Sequence, residues 1–422
     1  MTQVINYIEP TNNITEFLKV TLINDKVKHM KEFIQSSTEV DFKFEPTTTD
    51  LPEEIQYQCP MISAAIYYNA VKCFDFIAES GAKLTATDSW HTGIIHQACR
   101  CGRVNILSNP HCEELDFGVP DWRGRHPIHY AAEFDQLECL KFLVETKNVN
   151  INAQDKFGMT PLHVACEKGN VDILNYLLDH NAEILTDCLG RNPVEVATAK
   201  SHIEVLQAIS SKNSSLLTTK NPQNRNLAHY AALSEFDEGI KFLSAIPEID
   251  FNQIDSFGMA PIHYAAEHDA ITSISQILSI NGINKYIDQQ PDGNDPLHVA
   301  AFYGSEEAFS LLINPDDKDA TNKIKQTALH IAAENGHIKS IQELMNLGLD
   351  PNAIDNNGRS PREAAHGCYM NNIMDSLNGK KQMLGDLCEP EPYPKTRQEI
   401  QQEQADASAR QQQEQNTGCI IS

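Results

Sequence analysis

A short helix start recurs along this chain at a nearly constant spacing, and that spacing limits what the chain can fold into. The best-formed copy is Thr160-Pro161-Leu162-His163-Val164-Ala165-Cys166. Before it, Asp155-Lys156-Phe157-Gly158 is turn chemistry, with glycine able to take the positive φ that closes a tight loop. Thr160 stands where a helix wants a capping oxygen, and Pro161 fills the first helical position, where a missing N–H costs nothing. Leu162, Ala165 and Cys166 then make one narrow apolar face, Gly169 stops the helix, and a second helix from Val171 to Leu178 turns back. One such hairpin cannot bury its own apolar surface. The burial has to come from its neighbours: the slot of His163 is filled elsewhere by Ser63, His96, His129, Glu195, His229, His263, His298, His330 and Glu363, about 33 residues apart. Units repeated in this way stack along one axis, so 422 residues need not divide into two or three globular domains.

The strongest copies are Thr160-Pro161-Leu162-His163, Asp295-Pro296-Leu297-His298 and Thr327-Ala328-Leu329-His330, the last with Ala332-Ala333 and Gly336 following. Ala260-Pro261-Ile262-His263 and His126-Pro127-Ile128-His129 are weaker copies. In these residues and in their period the chain resembles the ankyrin-repeat family. The resemblance implies an all-α solenoid of about ten helical-hairpin repeats with β-turn tips. It also implies a structural role for His96, His129, His163, His229, His263, His298 and His330, whose hydrogen bonds would tie each helix start to nearby backbone and to adjacent loops.

Departures from the pattern mark the organisation. Residues 1–55 are expected to be degenerate N-terminal capping helices, with apolar positions from Ile14 to Ile34 split at Asn24-Asp25. Residues 56–210 and 211–387 form two halves of the array, joined at the polar run Ser210 to Asn226, which lacks a good Asp-x-x-Gly turn. Pro110 falls inside the second helix of its repeat and must break or kink it. Glu195 and Glu363 lose the histidine donor, and extra loop residues from Ile280 to Asp292 make a further irregularity. Residues 388–422 are a flexible polar tether: Glu389-Pro390-Glu391-Pro392-Tyr393-Pro394 forbids regular structure, and the Gln- and Glu-rich run from Gln398 to Gln415 cannot pack, so the tail is expected to be disordered.

Several chemistries are set aside. A formal net charge of −25 disfavours nucleic acid, which needs clustered Lys and Arg, and permits a basic partner. The N-terminus lacks a basic flank and an apolar core, no apolar run approaches a membrane span, and eleven cysteines suit a reducing compartment. No phosphate-binding loop, His-Glu-x-x-His or Gly-x-Ser-x-Gly is present, so no catalytic residue and no cofactor are expected. His96, Cys99, Cys101, His111 and Cys112 lie close together, but without the spacing of a recognised zinc finger; they read as repeat and loop positions, with no metal. Leu51-Pro52-Glu53-Glu54-Ile55 is similar to the opening of an F-box, yet the residues that should continue one already read as the first repeat.

Two binding surfaces and one modification site remain. Trp90, Trp122 with Arg123, Phe157 and Phe257 stand at exposed turn tips and include both tryptophans of the chain, which makes them candidate anchors for a protein partner. Glu133, Glu167, Glu267 and Glu334 recur at one inner-helix position and should form an acidic strip along the concave face. Cys419-Ile420-Ile421-Ser422 matches a C-a-a-X signal, serine favouring farnesyl and farnesyltransferase. One lipid chain gives reversible membrane residence, and the acids of the tail add no attraction to an anionic leaflet. The expected protein is a monomeric, non-enzymatic scaffold tethered to a cytosolic membrane face. Array and tail together are similar to prenylated ankyrin-repeat effectors that intracellular bacteria such as Legionella inject into host cells, where host enzymes supply the lipid. A ubiquitin-ligase adaptor working through the residues near Leu51, or a soluble scaffold without lipid, is the alternative.

Overall fold

A computed structural model of the chain describes residues 20–37, 40–43, 59–287 and 290–365. The F-box-like residues, the closing segment from Met374 to Leu387, the tether and Cys419 to Ser422 lie outside them. Among the described residues helices alternate with turns and there is no strand, only an isolated bridge between Lys43 and Pro60.

Inner helices stack in unbroken succession: Met61–Tyr67, Ile94–Arg100, Pro127–Glu133, Pro161–Lys168, Pro193–Ala199, Leu227–Leu233, Pro261–Glu267, Pro296–Tyr303, Ala328–Glu334 and Pro361–Ala364. Their close approach follows from the small pair near the middle of each. Ala64-Ala65, Ala98-Cys99, Ala131-Ala132, Ala165-Cys166, Ala231-Ala232, Ala265-Ala266, Ala300-Ala301 and Ala332-Ala333 are all completely buried, where a larger side chain would overpack the stack. Thr198 fits one such slot by turning its hydroxyl onto the Val194 carbonyl of its own helix. Outer helices, among them Val71–Glu79, Val171–Asp179, Ile271–Ser279 and Ile338–Asn346, contribute the larger apolar groups, such as Phe74, Leu177, Ile277 and Ile341. The buried residues of both layers form one core running along the array.

The ends of Pro161–Lys168 show why the sequence folds this way locally. The Thr160 hydroxyl accepts from the His163 N–H, Pro161 holds the first position, and Gly169 closes the helix at φ +78°. Pro110 acts as expected: its outer helix is confined to Val104–Leu107, and a 3₁₀ turn, Pro110–Cys112, follows. The next outer helix, Leu137–Lys141, runs on as a π-helical turn over Phe142–Thr146, which nothing in the sequence indicated. Across Ser210 to Asn226, Ile203–Asn213 continues into the 3₁₀ turn Ser214–Thr218 with Leu217 buried, while Pro193–Ala199 packs directly on Leu227–Leu233. At the N-terminal end the chain turns at Asn24-Asp25, and the Asp25 carboxylate accepts the Cys73 N–H at 2.9 Å, so that Val27–Ser37 lies against Val71–Glu79.

Candidate protein-interaction surface

Eight of the hairpins are preceded by a turn whose first residue is Asp or Asn, the turn before Pro296 beginning instead at Gln290, and the structure gives the reason. One oxygen of Asp155 accepts the N–H groups of Phe157 and Met159 at 2.8 and 2.9 Å. Asp88, Asp121, Asp187, Asn221, Asp255, Asn322 and Asp355 make the same pair of bonds in their own turns. The fourth turn residue takes positive φ, as at Gly124 and Gly158. There glycine serves a second purpose: a Cβ on Gly124 would stand 2.9 Å from the Lys156 nitrogen, and one on Gly158 would stand 3.1 Å from the Cys188 nitrogen.

Those nitrogens belong to the next turn, because successive tips are tied by backbone hydrogen bonds. Trp122 N–H donates to the Trp90 carbonyl at 3.2 Å, Lys156 N–H to Arg123 at 2.9 Å, and Cys188 N–H to Phe157 at 2.8 Å. The next tip has Pro222 in the donor position, with no N–H to give. The tie resumes from Ser256 to Gln223, meets Pro291 in the same position, and resumes again from Lys323 to Asp292 and Asn356 to Ile324.

The repeat histidines connect each inner helix start to the loop of the next repeat. Nδ1 accepts the backbone N–H of the cap residue, as from Gly93, His126, Thr160, Asn226, Ala260 and Thr327, at 3.0–3.3 Å. Nε2–H donates to a carbonyl in the loop preceding the next inner helix: His96 to Arg125, His129 to Met159, His163 to Arg191, His229 to Met259, His298 to Gln326 and His330 to Arg359. His263 reaches Ile287 instead, where the loop carries its extra residues. Burial disfavours the charged ring and pushes His96, His129 and His229 down to about 4 and His163, His263 and His330 below their ordinary value. His298 differs in facing the Asp295 carboxylate at 2.7 Å; burial alone would raise that carboxyl, but the His298 ring and N–H hold it below the usual range.

The tip candidates are exposed: Trp90 by 40 %, Trp122 by 39 %, Phe157 by 54 % and Phe257 by 40 %. The structure brings the first three onto one tied row. Trp90 and Trp122 rings lie 5.2 Å apart at 34°, and the Arg123 guanidinium sits 4.8 Å over Trp122. Phe257 stands apart, beyond Pro222, with the Arg225 guanidinium 5.7 Å above it. Leu189, 61 % exposed, completes the row and was missed because it is not aromatic; counting two residues from the turn Asp finds it beside Trp90 and Phe157. The expected acidic strip is corrected. Glu133 is bridged by Arg125 at 2.7 Å and Lys168 at 3.2 Å, Glu334 by Arg359 at 3.0 Å, and Glu167 faces Lys200 at 3.9 Å, so three of the strip's four carboxylates stand against cations. Cys99, in the residues weighed for zinc, is fully buried with its thiol pushed up by burial, and both His96 nitrogens are engaged by backbone. No group of three metal-ligating side chains occurs among the described residues.

A stack of small-residue hairpins with tied, outward-facing tips is a repeat solenoid of the protein-interaction class. The chain belongs to the ankyrin-repeat family: a family profile described as ankyrin repeats in three copies matches residues 61–155, 128–221, 228–322, 263–355 and 297–375. It is 27 % identical over 306 residues to the transient receptor potential cation channel subfamily A member 1 of Drosophila melanogaster, covering 68 % of this chain and 22 % of that protein. To the Homo sapiens protein of the same name it is 27 % identical over 321 residues, covering 71 % of this chain and 28 % of the relative. Human ankyrin repeat and SOCS box protein 3 is 44 % identical over 62 residues, 14 % of this chain and 12 % of that one. The chain therefore spans less than a third of the length of each of these relatives.

Proposed function

We propose that this protein is a non-enzymatic scaffold that grips a protein partner through its repeat tips while a farnesyl group on Cys419 holds it at a cytosolic membrane face. The observation that carries the binding half is the row of exposed aromatic side chains on tips tied by backbone hydrogen bonds: such anchors enter a complex with little ordering left to do. The anchoring half rests on the sequence Cys419-Ile420-Ile421-Ser422 at the end of a polar tail, and requires Ser422 to carry the free carboxylate. Its resemblance to injected bacterial effectors favours a host cell as the place where the lipid is added. Intact mass of the protein recovered from eukaryotic cells, beside Cys419→Ser, tests the anchor. A farnesyl mass with loss of the last three residues, and release of the variant from the membrane fraction to the cytosol, is the expected result. An unmodified mass in cells with active farnesyltransferase removes the tether and leaves a soluble scaffold.

A further inference from the structure

We propose that the four tied tips from Trp90 to Leu189 form one docking platform for an extended, acidic protein segment with a large apolar residue at about every third position. The proposal rests on the protein-binding reading above and gives the partner its chemistry. The row is a unit because each of its tips is hydrogen-bonded to the next through backbone, and it ends where Pro222 has no N–H to donate. Its apolar surface is contributed by Trp90, Trp122, Phe157 and Leu189. The charged side chains that stand exposed on these turns are cations, while Asp121, Asp155 and Asp187 are buried. Asp88, Asp121, Asp155 and Asp187 turn a carboxylate oxygen back onto their own backbone N–H groups, whereas the exposed Arg123 and Lys156 are cations, on a chain of formal net charge −25. An acidic segment is attracted to this row and repelled elsewhere, which fixes where it lands. Packed hairpins lie about 8–10 Å apart, and an extended chain in the polyproline-II conformation advances about 3.1 Å per residue with about three residues per turn, so that every third side chain faces the same way. Side chains roughly three residues apart therefore meet successive tips.

Trp90 and Trp122 are the only tryptophans of the chain, so intrinsic emission reads this row alone. A randomised peptide display library is selected on the full chain, and the enriched peptides are titrated against its tryptophan fluorescence. The expected peptides are net acidic with the three-residue apolar spacing; they shift the emission and bind more weakly as salt rises. They lose at least tenfold in affinity to an Arg123→Glu, Lys156→Glu double variant whose helical content and melting are unchanged. Enrichment of basic peptides, no enrichment, or an affinity indifferent to the double variant overturns the proposal. Peptides that bind without touching the tryptophan signal would overturn it while leaving the protein-binding reading standing. An emission shift with phosphatidylserine vesicles and none with peptides would assign the row to a lipid surface instead.

Discussion

Glu195 stands in the histidine slot between His163 and His229, and it can do only half of what a neutral imidazole does. Its Oε2 accepts the Asn192 N–H at 2.9 Å, as Nδ1 does elsewhere, but Oε1 is buried with no hydrogen-bond partner. A carboxylate cannot supply the N–H that His163 gives to Arg191 or His229 to Met259. A protonated carboxyl can, since one oxygen accepts while the O–H donates. Burial pushes the Glu195 carboxyl up to about 7, Asp187 adding to the rise while the Asn192 N–H, Arg191 and the nearby Tyr230 hydroxyl oppose it. With an ordinary value of 4.5 in the unfolded chain, the folded state keeps a proton between pH 4.5 and about 7 that the unfolded state has released. Stability from this group is therefore full below pH 4.5 and is lost as pH rises through 7. Each tenfold difference in proton affinity between the folded and unfolded chain is worth about 1.4 kcal/mol, so the protonated carboxyl contributes about 3 kcal/mol. Glu195→Gln keeps an acceptor and a donor without needing the proton. The gap between variant and parent in urea unfolding should then widen by about 2–3 kcal/mol from pH 5 to pH 8. The buried histidines slope the other way, but both proteins share that slope, so the difference isolates Glu195. A repeat array need not unfold in one step, and amide exchange in Pro193–Ala199 and Leu227–Leu233 reads the same difference locally. Parallel pH curves for the two proteins would refute the argument.

His163→Ala strands the Thr160 N–H and the Arg191 carbonyl, each buried group costing about 1–3 kcal/mol, so urea unfolding should show a loss of about 2–4 kcal/mol; a loss under about 1 kcal/mol would mean water replaces the ring. Gly158→Ala puts a Cβ at φ +74° and 3.1 Å from the Cys188 nitrogen, which should cost about 1–2 kcal/mol and speed amide exchange at Cys188. Acidification should destabilise through the buried histidines: their folded values lie below the ordinary 6.5, so stability is lost as pH falls from 6.5 through about 4. In the Glu195→Gln background the urea midpoint should fall steadily over that range, and a flat profile would contradict the neutral, doubly bonded rings. Ile341→Ala, at a fully buried site, should lower stability by about 2–5 kcal/mol by calorimetry.

The fold was legible because each local signal repeats. Thr160, Pro161 and Gly169 mark one helix through capping, a missing N–H and positive φ, and the same marks recurring in register leave little choice of architecture. Pro110 broke its helix for the same local reason. What was not legible depends on partners that come from other repeats. Glu133 and Glu334 look like an acidic strip when read along their helices, but Lys168 and Arg359 reach them from the next repeat, at separations that no helical spacing spans. That Glu195 must be tied differently could be read from its identity; that one of its oxygens finds no partner could not. The tip ladder was invisible for a simpler reason: it is made of backbone atoms, and side-chain identity reports it only where proline removes a donor.

Pro222 and Glu195 fall at the same interface, between the hairpin beginning at Pro193 and the hairpin beginning at Leu227. Consecutive repeats are generally coupled by three things: packed inner helices, a histidine donor to the next loop, and a tip N–H to the previous tip. At this interface only the first is complete, since Pro193–Ala199 still packs on Leu227–Leu233 while the carboxylate cannot donate and the proline has no N–H. Burial pushes the Glu195 carboxyl up to about 7, so the charge that this interface holds without a histidine donor is costly to it as pH rises through that value. The platform from Trp90 to Leu189 lies wholly on one side of that boundary, and its own ties contain neither residue. Peptide affinity at the platform should accordingly be insensitive to Glu195→Gln, even where the variant changes the stability of the interface beside it.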